Sequence, residues 1–260
     1  MSMSVALLSP EWPAPPQVQA AWSTRVGGVS QQPFDSLNLG AHVGDAPLAV
    51  QANRQAFAQA LKARPVFLQQ VHGTTVIPLD QETPDALSAD ASVTAHQGLA
   101  CTVMVADCLP ILLADKRGRV VAAAHGGWRG LAGGPGAGGA DILAATVNAM
   151  VKLARCESSD LLAWLGPCIG PEAFEVGADV KAAFEQQHPS VEQFFRPRGQ
   201  GKWLADLPAF ARARFASLGV SQVYGNDGSA QWCTVGNPER YFSHRRDRSS
   251  GRIAVSVWLV

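Results

Sequence analysis

The stretch Ala100-Cys101-Thr102-Val103-Met104-Val105-Ala106-Asp107-Cys108-Leu109-Pro110-Ile111-Leu112-Leu113-Ala114 holds two apolar runs, 100–105 and 111–114, separated by Asp107, Cys108 and Pro110. Both runs are short and rich in Val, Ile and Leu, as strands buried on two faces are. Residues 120–124 form another such run and lead into His125. Upstream, 66–70 and 74–79 flank His72 and Gly73; downstream, 161–165 and 253–259 read as further central strands. Three helices are expected among them. Asp45 is expected to cap the first, with Pro47 in its first turn and Phe57 and Leu61 inward to about Ala63. The second spans about 141–154, with Ile142, Val147, Met150 and Val151 inward. The third starts near Asp206 and ends at Gly219. Helices mixed with many strands indicate an α/β or α+β protein, and their alternation is too irregular for a barrel or a simple doubly wound sheet.

Length and composition fit one globular domain over 1–260, with 1–20 as an extended lead-in that includes the Pro-rich residues 10–16. Apolar residues make up 47% and charged residues 16% of the 260, which excludes a disordered chain. Lys plus Arg and Asp plus Glu are both 21, so the neutral chain has no general electrostatic hold on nucleic acid or an anionic membrane. An anionic ligand must be caught by groups placed locally. Residues 1–8 lack the cationic flank of a signal peptide, and no run approaches the roughly 18 apolar residues of a membrane span. Five cysteines without paired short spacing argue against a disulfide framework, so a cytoplasmic location is expected.

His72, Cys108 and His125 each stand at the end of an expected buried strand, where a rigid sheet offers side chains to a cleft. Two imidazoles and a thiolate make a suitable zinc set, with a fourth position left for water or substrate. Long-range ligand sets have no distinctive spacing, however, and a hydrogen-bonded structural His or a core Cys fits the same residues.

Seven strings occur in order: Thr24-Arg25-Val26-Gly27-Gly28-Val29-Ser30, Ser36-Leu37-Asn38-Leu39-Gly40, Gln70-Val71-His72-Gly73, Ala106-Asp107-Cys108-Leu109-Pro110, Ala124-His125-Gly126-Gly127-Trp128-Arg129-Gly130, Gly166-Pro167-Cys168-Ile169-Gly170-Pro171 and Tyr241-Phe242-Ser243-His244-Arg245-Arg246-Asp247. Together, over about 23–259, they resemble the laccase-domain family, also called multicopper polyphenol oxidases, some of whose members are termed peptidoglycan editing factors. The resemblance implies an α+β fold with mixed β-sheets layered between helices in αββα fashion. It implies one Zn2+ held by His72, Cys108 and His125, with Cu2+ as an adventitious occupant. The implied activity is purine nucleoside phosphorolysis of adenosine, inosine, guanosine and methylthioadenosine, with adenosine deamination beside it. Gly126 departs from an expected Ala and His244 from an expected Tyr. Residues 133–139 are unusually Gly-rich where the family should begin a helix, which loosens it by roughly 0.5–1 kcal/mol per interior Gly.

The chemistry asks for further groups. Arg25, Arg129 and Arg245 are candidate phosphate clamps, since a planar guanidinium pairs with phosphate oxygens. The plain alternatives are Arg129 packed on Trp128 or capping a helix, and Arg245 with Arg246 paired to Asp247. Asp107 either orients a ligand imidazole or takes up a proton, or else it forms the turn before Pro110. Asn38 and Gln70 recognise base or ribose, or satisfy backbone groups. His42, His96 and His188 carry no partner pattern and default to surface or structural roles; Cys101, Cys156, Cys168 and Cys233 are expected to ligate nothing. The expected partners are a nucleoside and phosphate, with no nucleic acid or membrane, in a monomer or small homo-oligomer. Rival readings are a peptidoglycan-precursor editing hydrolase, a Cys-His hydrolase with Cys108 as nucleophile, a copper polyphenol oxidase and a structural-zinc module. Six His in all are few for a multicopper cluster, and a structural zinc normally has four protein ligands.

Overall fold

A computed structural model describes residues 5–134, 140–188 and 190–260. Its strands form three sheets. The first runs in the order β1 (Leu7–Leu8), β2 (Val18–Ser23), β14 (Ile253–Leu259), β6 (Leu99–Val105), β3 (Arg64–Phe67). The second runs β13 (Gln222–Gly225), β9 (Leu161–Leu165), β7 (Leu109–Asp115), β8 (Val121–Gly126), β5 (Ala91–Thr94), β4 (Val76–Pro78). A small third sheet has the order β10 (Glu175–Gly177), β12 (Lys202–Ala205), β11 (Phe195–Gly199). The helices are α1 (Pro47–Leu61), α2 (Trp128–Ala132), α3 (Ile142–Ala154), α4 (Ala178–Gln187), α5 (Leu207–Ser217) and α6 (His244–Asp247).

The two large sheets pack face to face between helical layers, so the architecture is α+β of αββα type. Alternation along the strands shows why. In β6, Cys101, Val103 and Val105 face the space between the sheets, while Ala100 and Met104 face Phe57 and Leu61 of α1. In β7, Leu112 and Ala114 enter the inter-sheet core, while Ile111 and Leu113 pack with Ile142, Val147 and Met150 of α3 and Phe210 and Phe215 of α5. Side chains of period two buried on both faces read in sequence as unbroken apolar runs. Each large apolar side chain so buried is worth about 1.5–3 kcal/mol. Among the described residues no helix is long and apolar enough to cross a membrane.

Several boundaries differ from the sequence reading. Asp45 does not cap α1: the cap position is Ala46, which makes no side-chain bond. The Asp45 carboxylate instead accepts hydrogen bonds from the Ser30 hydroxyl and the Asn38 amide. Asp141 and Asp206 do cap α3 and α5, each accepting from amides of the first turn. Part of the lead-in is strand: Leu7–Leu8 pairs antiparallel with Trp22 and Ser23. The third sheet, α4, β5 and β13 were not expected. Of the Gly-rich segment, Gly133 and Gly134 lie between α2 and α3, outside any helix, and 135–139 lie outside the described residues.

Candidate metal centre

Strand register brings the three ligand candidates together. His125 of β8 is opposite Pro110 of β7, which places it beside the β6–β7 turn that carries Cys108. On the other side Ala124 is opposite Ala91, so Asp90 falls next to His125, and the His125 amide donates to the Asp90 carbonyl at 2.7 Å. His72 comes in on a loop with φ of 61°. That loop closes over Asp90, whose carboxylate accepts from the amides of Val71 (3.2 Å), His72 (2.8 Å) and Gly73 (2.7 Å). The same carboxylate accepts from His125 Nδ1 at 2.9 Å. One fully buried Asp therefore positions two imidazoles and leaves His125 Nε2 to face the third group.

The ligand atoms of His72, Cys108 and His125 all lie within 4.8 Å of one another. Cys108 Sγ is 3.7 Å from His72 Nε2. Zinc bonded tetrahedrally to N at about 2.0 Å and S at about 2.3 Å holds such a pair roughly 3.5 Å apart, so this pair fits a shared ion. The two rings meet edge-on, with centroids 4.7 Å apart. Gly127 makes this possible: a Cβ there would stand 2.6 Å from His72 Cδ2 and 3.2 Å from His125 Cε1.

The protonation states match a ligand set. Burial pushes the Cys108 thiol up, but the His125 charge and hydrogen bonds from His125 and His72 outweigh it and bring the thiol down to about 6. Burial pushes His125 down, and the Cys108 thiolate and the Asp90 hydrogen bond overcome this and raise it to about 9. Asp90 is held below the usual carboxylate range because His125 and the loop amides outweigh its burial. Without metal, the centre is a thiolate–imidazolium pair anchored on a carboxylate.

The centre opens into a cavity of about 440 Å³. His42, His244, Arg245, Arg248 and Arg252 also line it. Burial lowers the His42 pKa, and the Arg252 and Arg54 charges add to this. The Arg252 pKa is also lowered by burial, against the attraction of Cys108 and Asp107. The arrangement can bind a metal ion at the His-Cys-His group and an anion at the arginines of the same cavity.

The remaining sequence candidates divide. Arg245 lines the cavity; its Nη1 donates to the Glu175 carbonyl at 3.0 Å and its guanidinium lies 5.5 Å from the Phe174 ring. Asp107 also lines it, but its carboxylate accepts from the Thr234 hydroxyl and the Arg245 amide, both at 2.6 Å. It therefore positions Arg245, and the expected imidazole partner is Asp90 instead. Gln70 borders the cavity with both ends of its amide spent on the Met104 backbone at 2.8 Å. Asn38 is fully buried and bonds Gly40, Asp45 and the Arg252 amide, so it braces loops. Arg25 does not line the cavity; it is held by Asp35 and the Pro238 carbonyl and stacks on Phe242. Arg129 is exposed and packs 4.3 Å above Trp128, the plain alternative. Arg246, in turn, pairs with Asp247.

Sequence reading missed Asp90, His42, Arg248 and Arg252. The cationic run from His244 to Arg252 was the available signal for the last two. Asp90 gave none, because an isolated Asp before a short strand reads as a turn residue.

An αββα protein with a His-Cys-His ligand group beside a cationic cavity is the class that fold and site define. Residues 19–260 match the family described as multi-copper polyphenol oxidoreductase laccase, and the chain belongs to it. It is 48% identical to a Pseudomonas aeruginosa protein named purine nucleoside phosphorylase over 255 residues, covering 98% of each chain. It is 45% identical to an Escherichia coli protein of the same name, covering 98% of this chain and 99% of the other. Among solved structures, a Neisseria meningitidis protein superposes with a TM-score of 0.89 at 44% identity, covering 97% of this chain and 98% of that one. A Geobacillus stearothermophilus protein superposes with a TM-score of 0.86 at 28% identity, covering 99% of this chain and 98% of the other.

Proposed function

We propose that this protein is a zinc-dependent purine nucleoside phosphorylase. It takes adenosine, inosine, guanosine and methylthioadenosine with inorganic phosphate in the cytoplasm, and it deaminates adenosine as a second activity. The observation that carries this reading is the placement of the His72, Cys108 and His125 cluster and a wall of arginines around one cavity. The names of the relatives in Pseudomonas aeruginosa and Escherichia coli point the same way.

In phosphorolysis a phosphate oxygen forms a bond to C1′ of the ribose, and the C1′–N9 bond breaks with its electron pair going to the purine. The sugar carbon is electron-poor in the transition state, so the enzyme must hold the anion close and in line. Arg245, Arg248 and Arg252 supply that hold, with Asp107 fixing the backbone of Arg245. His244, which lines the cavity, is the group we assign to donate a hydrogen bond to the departing base. His72, Cys108 and His125 hold the zinc, which when bound supplies Lewis acidity toward oxygen and lowers the pKa of water toward neutrality. Asp90 keeps both imidazoles oriented. A polyphenol oxidase reading fits less well, because the chain's six histidines are few for a multicopper assembly.

The test is chromatography of adenosine and inosine incubated with zinc-loaded protein, with and without phosphate, beside Cys108→Ala. Phosphate-dependent release of free base, lost in the variant, supports the proposal. Unchanged nucleosides at one zinc per chain overturn it.

A further inference from the structure

Asp107 joins the two halves of the cavity: it directly precedes the ligand Cys108, and its carboxylate holds the backbone of Arg245. Its φ is 91°, in the left-handed region that residues other than glycine seldom enter. Such a conformation persists where the surroundings over-determine it. Three separate segments do so. The Ile169 amide donates to the Asp107 carbonyl at 2.8 Å. The Thr234 hydroxyl donates to one carboxylate oxygen and the Arg245 amide to the other, each at 2.6 Å. Two of these donors are backbone amides, so the side chain that fixes Asp107 is Thr234. Thr234 is fully buried and is not among the residues lining the cavity. It is pinned on both sides: its amide donates to the Cys168 carbonyl at 2.9 Å, and its carbonyl accepts from Arg246 Nη1 at 2.8 Å. Thr234 therefore reaches α6 twice, through Arg246 and through Asp107 to Arg245.

We propose that Thr234 is a positioning residue for both halves of the centre: through Asp107 it aims Cys108 at the metal position and holds Arg245 at the anion position. The backbone conformation of Asp107 sets the direction in which the chain enters Cys108. The Asp107 carboxylate, pulled from one side by the Thr234 hydroxyl, presents its other oxygen to the Arg245 amide. Loss of one buried hydroxyl therefore weakens metal and anion binding together, although Thr234 touches neither ligand. Groups that orient the residues around a metal in this way carry a measurable share of its affinity. A residue that served packing alone would lower stability and leave both affinities in place. The metal half of the proposal needs nothing of the nucleoside chemistry; the anion half rests on the reading of the cavity arginines as a phosphate site.

The experiment compares Thr234→Val, which keeps the branched shape without the hydroxyl, with Thr234→Ser, which keeps the hydroxyl. Thr234→Ala is the second hydroxyl-free variant if Thr234→Val does not fold. Metal binding is read by chelator competition for zinc, and by the thiolate-to-metal absorption band of the cobalt-loaded protein, which reports the bond to Cys108. Anion binding is read by calorimetric titration of the zinc-loaded protein with inorganic phosphate. Thr234→Val should weaken zinc about tenfold, alter the cobalt band and weaken phosphate severalfold, and Thr234→Ser should restore all three. The proposal is overturned if the hydroxyl-free variant keeps its zinc affinity and cobalt band, whatever happens to its melting temperature. It is equally overturned if Thr234→Ser restores neither affinity, or if zinc weakens while phosphate binding holds. An unsubstituted protein that binds zinc but no phosphate removes the anion half, and the zinc and cobalt readings still decide the metal half. Absence of nucleoside turnover, with both affinities shifting as expected, overturns the phosphorylase reading alone.

Discussion

Asp90 accepts the Nδ1 hydrogen of His125 at 2.9 Å while three consecutive amides of the His72 loop converge on the same carboxylate. A single buried charge thus sets the tautomer of one ligand and the backbone of another. Outer partners of this kind typically carry 10–100-fold of metal affinity.

Asp90→Asn keeps the size and one acceptor oxygen but removes the charge. It should weaken zinc binding about 10–100-fold, read by competition with a chelator. An unaltered affinity would show that the loop holds His72 without the carboxylate.

The metal-free centre should titrate in an unusual way. Cys108 falls from its ordinary 9.0 to about 6, and a depressed acid contributes stability above 9.0 that is lost as pH falls through 6. His125 rises from 6.5 to about 9, and a raised base contributes stability below 6.5 that is lost as pH rises through 9. The two dependences run in opposite directions. Between about 6.5 and 9 the folded pair carries one proton in total, as does the unfolded pair, so the stability of the metal-free protein should be nearly flat across that window. The thiolate is nevertheless present from about pH 6 upward. Alkylation of Cys108 should therefore rise with an apparent pKa near 6, and His125→Ala should return it toward the ordinary thiol value. A midpoint near 9 in the unsubstituted protein would remove the thiolate–imidazolium pair.

Gly127 has φ of −67°, a conformation open to any residue, so its role is one of space. In Gly127→Ala the new methyl would lie 2.6 Å from His72 Cδ2. His72, exposed on its loop, should give way before buried His125 does. Zinc affinity should fall at least tenfold while the melting temperature of the metal-free protein changes little. A large drop in melting temperature with zinc affinity retained would place the strain elsewhere.

Both faces of β6, β7 and β8 are buried, so the layers of the fold were visible in the sequence as apolar runs. The third sheet was not, because β11 is largely exposed and carries Arg196, Pro197 and Arg198. The site divided along the same line. Cys108 and His125 stand at strand ends inside recognisable strings, and register alone brings them together; His72 was expected at a strand end too, but β3 stops at Phe67 and β4 starts at Val76, so a loop folded over Asp90 brings it in. Arg25 and Asn38 stand in equally recognisable strings, yet they brace the loop at 23–45. A string in register marks a residue whose environment is fixed, and does not separate a ligand contact from a loop brace. Arg248 and Arg252 enter the cavity only because the chain turns back after α6, which local pattern does not reveal.

Arg248 is an exposed member of the cavity wall, and its side chain makes no hydrogen bond among the described residues, so it is free to meet phosphate. A hydrogen bond to a charged group is worth about 1.5–3 kcal/mol, so Arg248→Ala should raise the KM for phosphate roughly 10–100-fold. Zinc content and melting temperature should hold. An unchanged phosphate KM would move the anion to Arg245 and Arg252.

Arg25 and Arg129 should behave differently from the cavity arginines. Arg129 lies on an exposed turn of α2 against Trp128, so Arg129→Ala should leave both phosphate KM and stability within error, since a surface cation–π contact is worth only about 0.5–1 kcal/mol. Arg25 ties Asp35 and Pro238 together from two distant parts of the chain and is mostly buried. Arg25→Ala should lower the melting temperature, because losing a partly buried network of this size costs about 1–3 kcal/mol, while the KM for phosphate stays unchanged in the folded fraction. A rise in phosphate KM in Arg25→Ala without loss of stability would return Arg25 to the anion site, and would require its loop to close over the cavity during turnover.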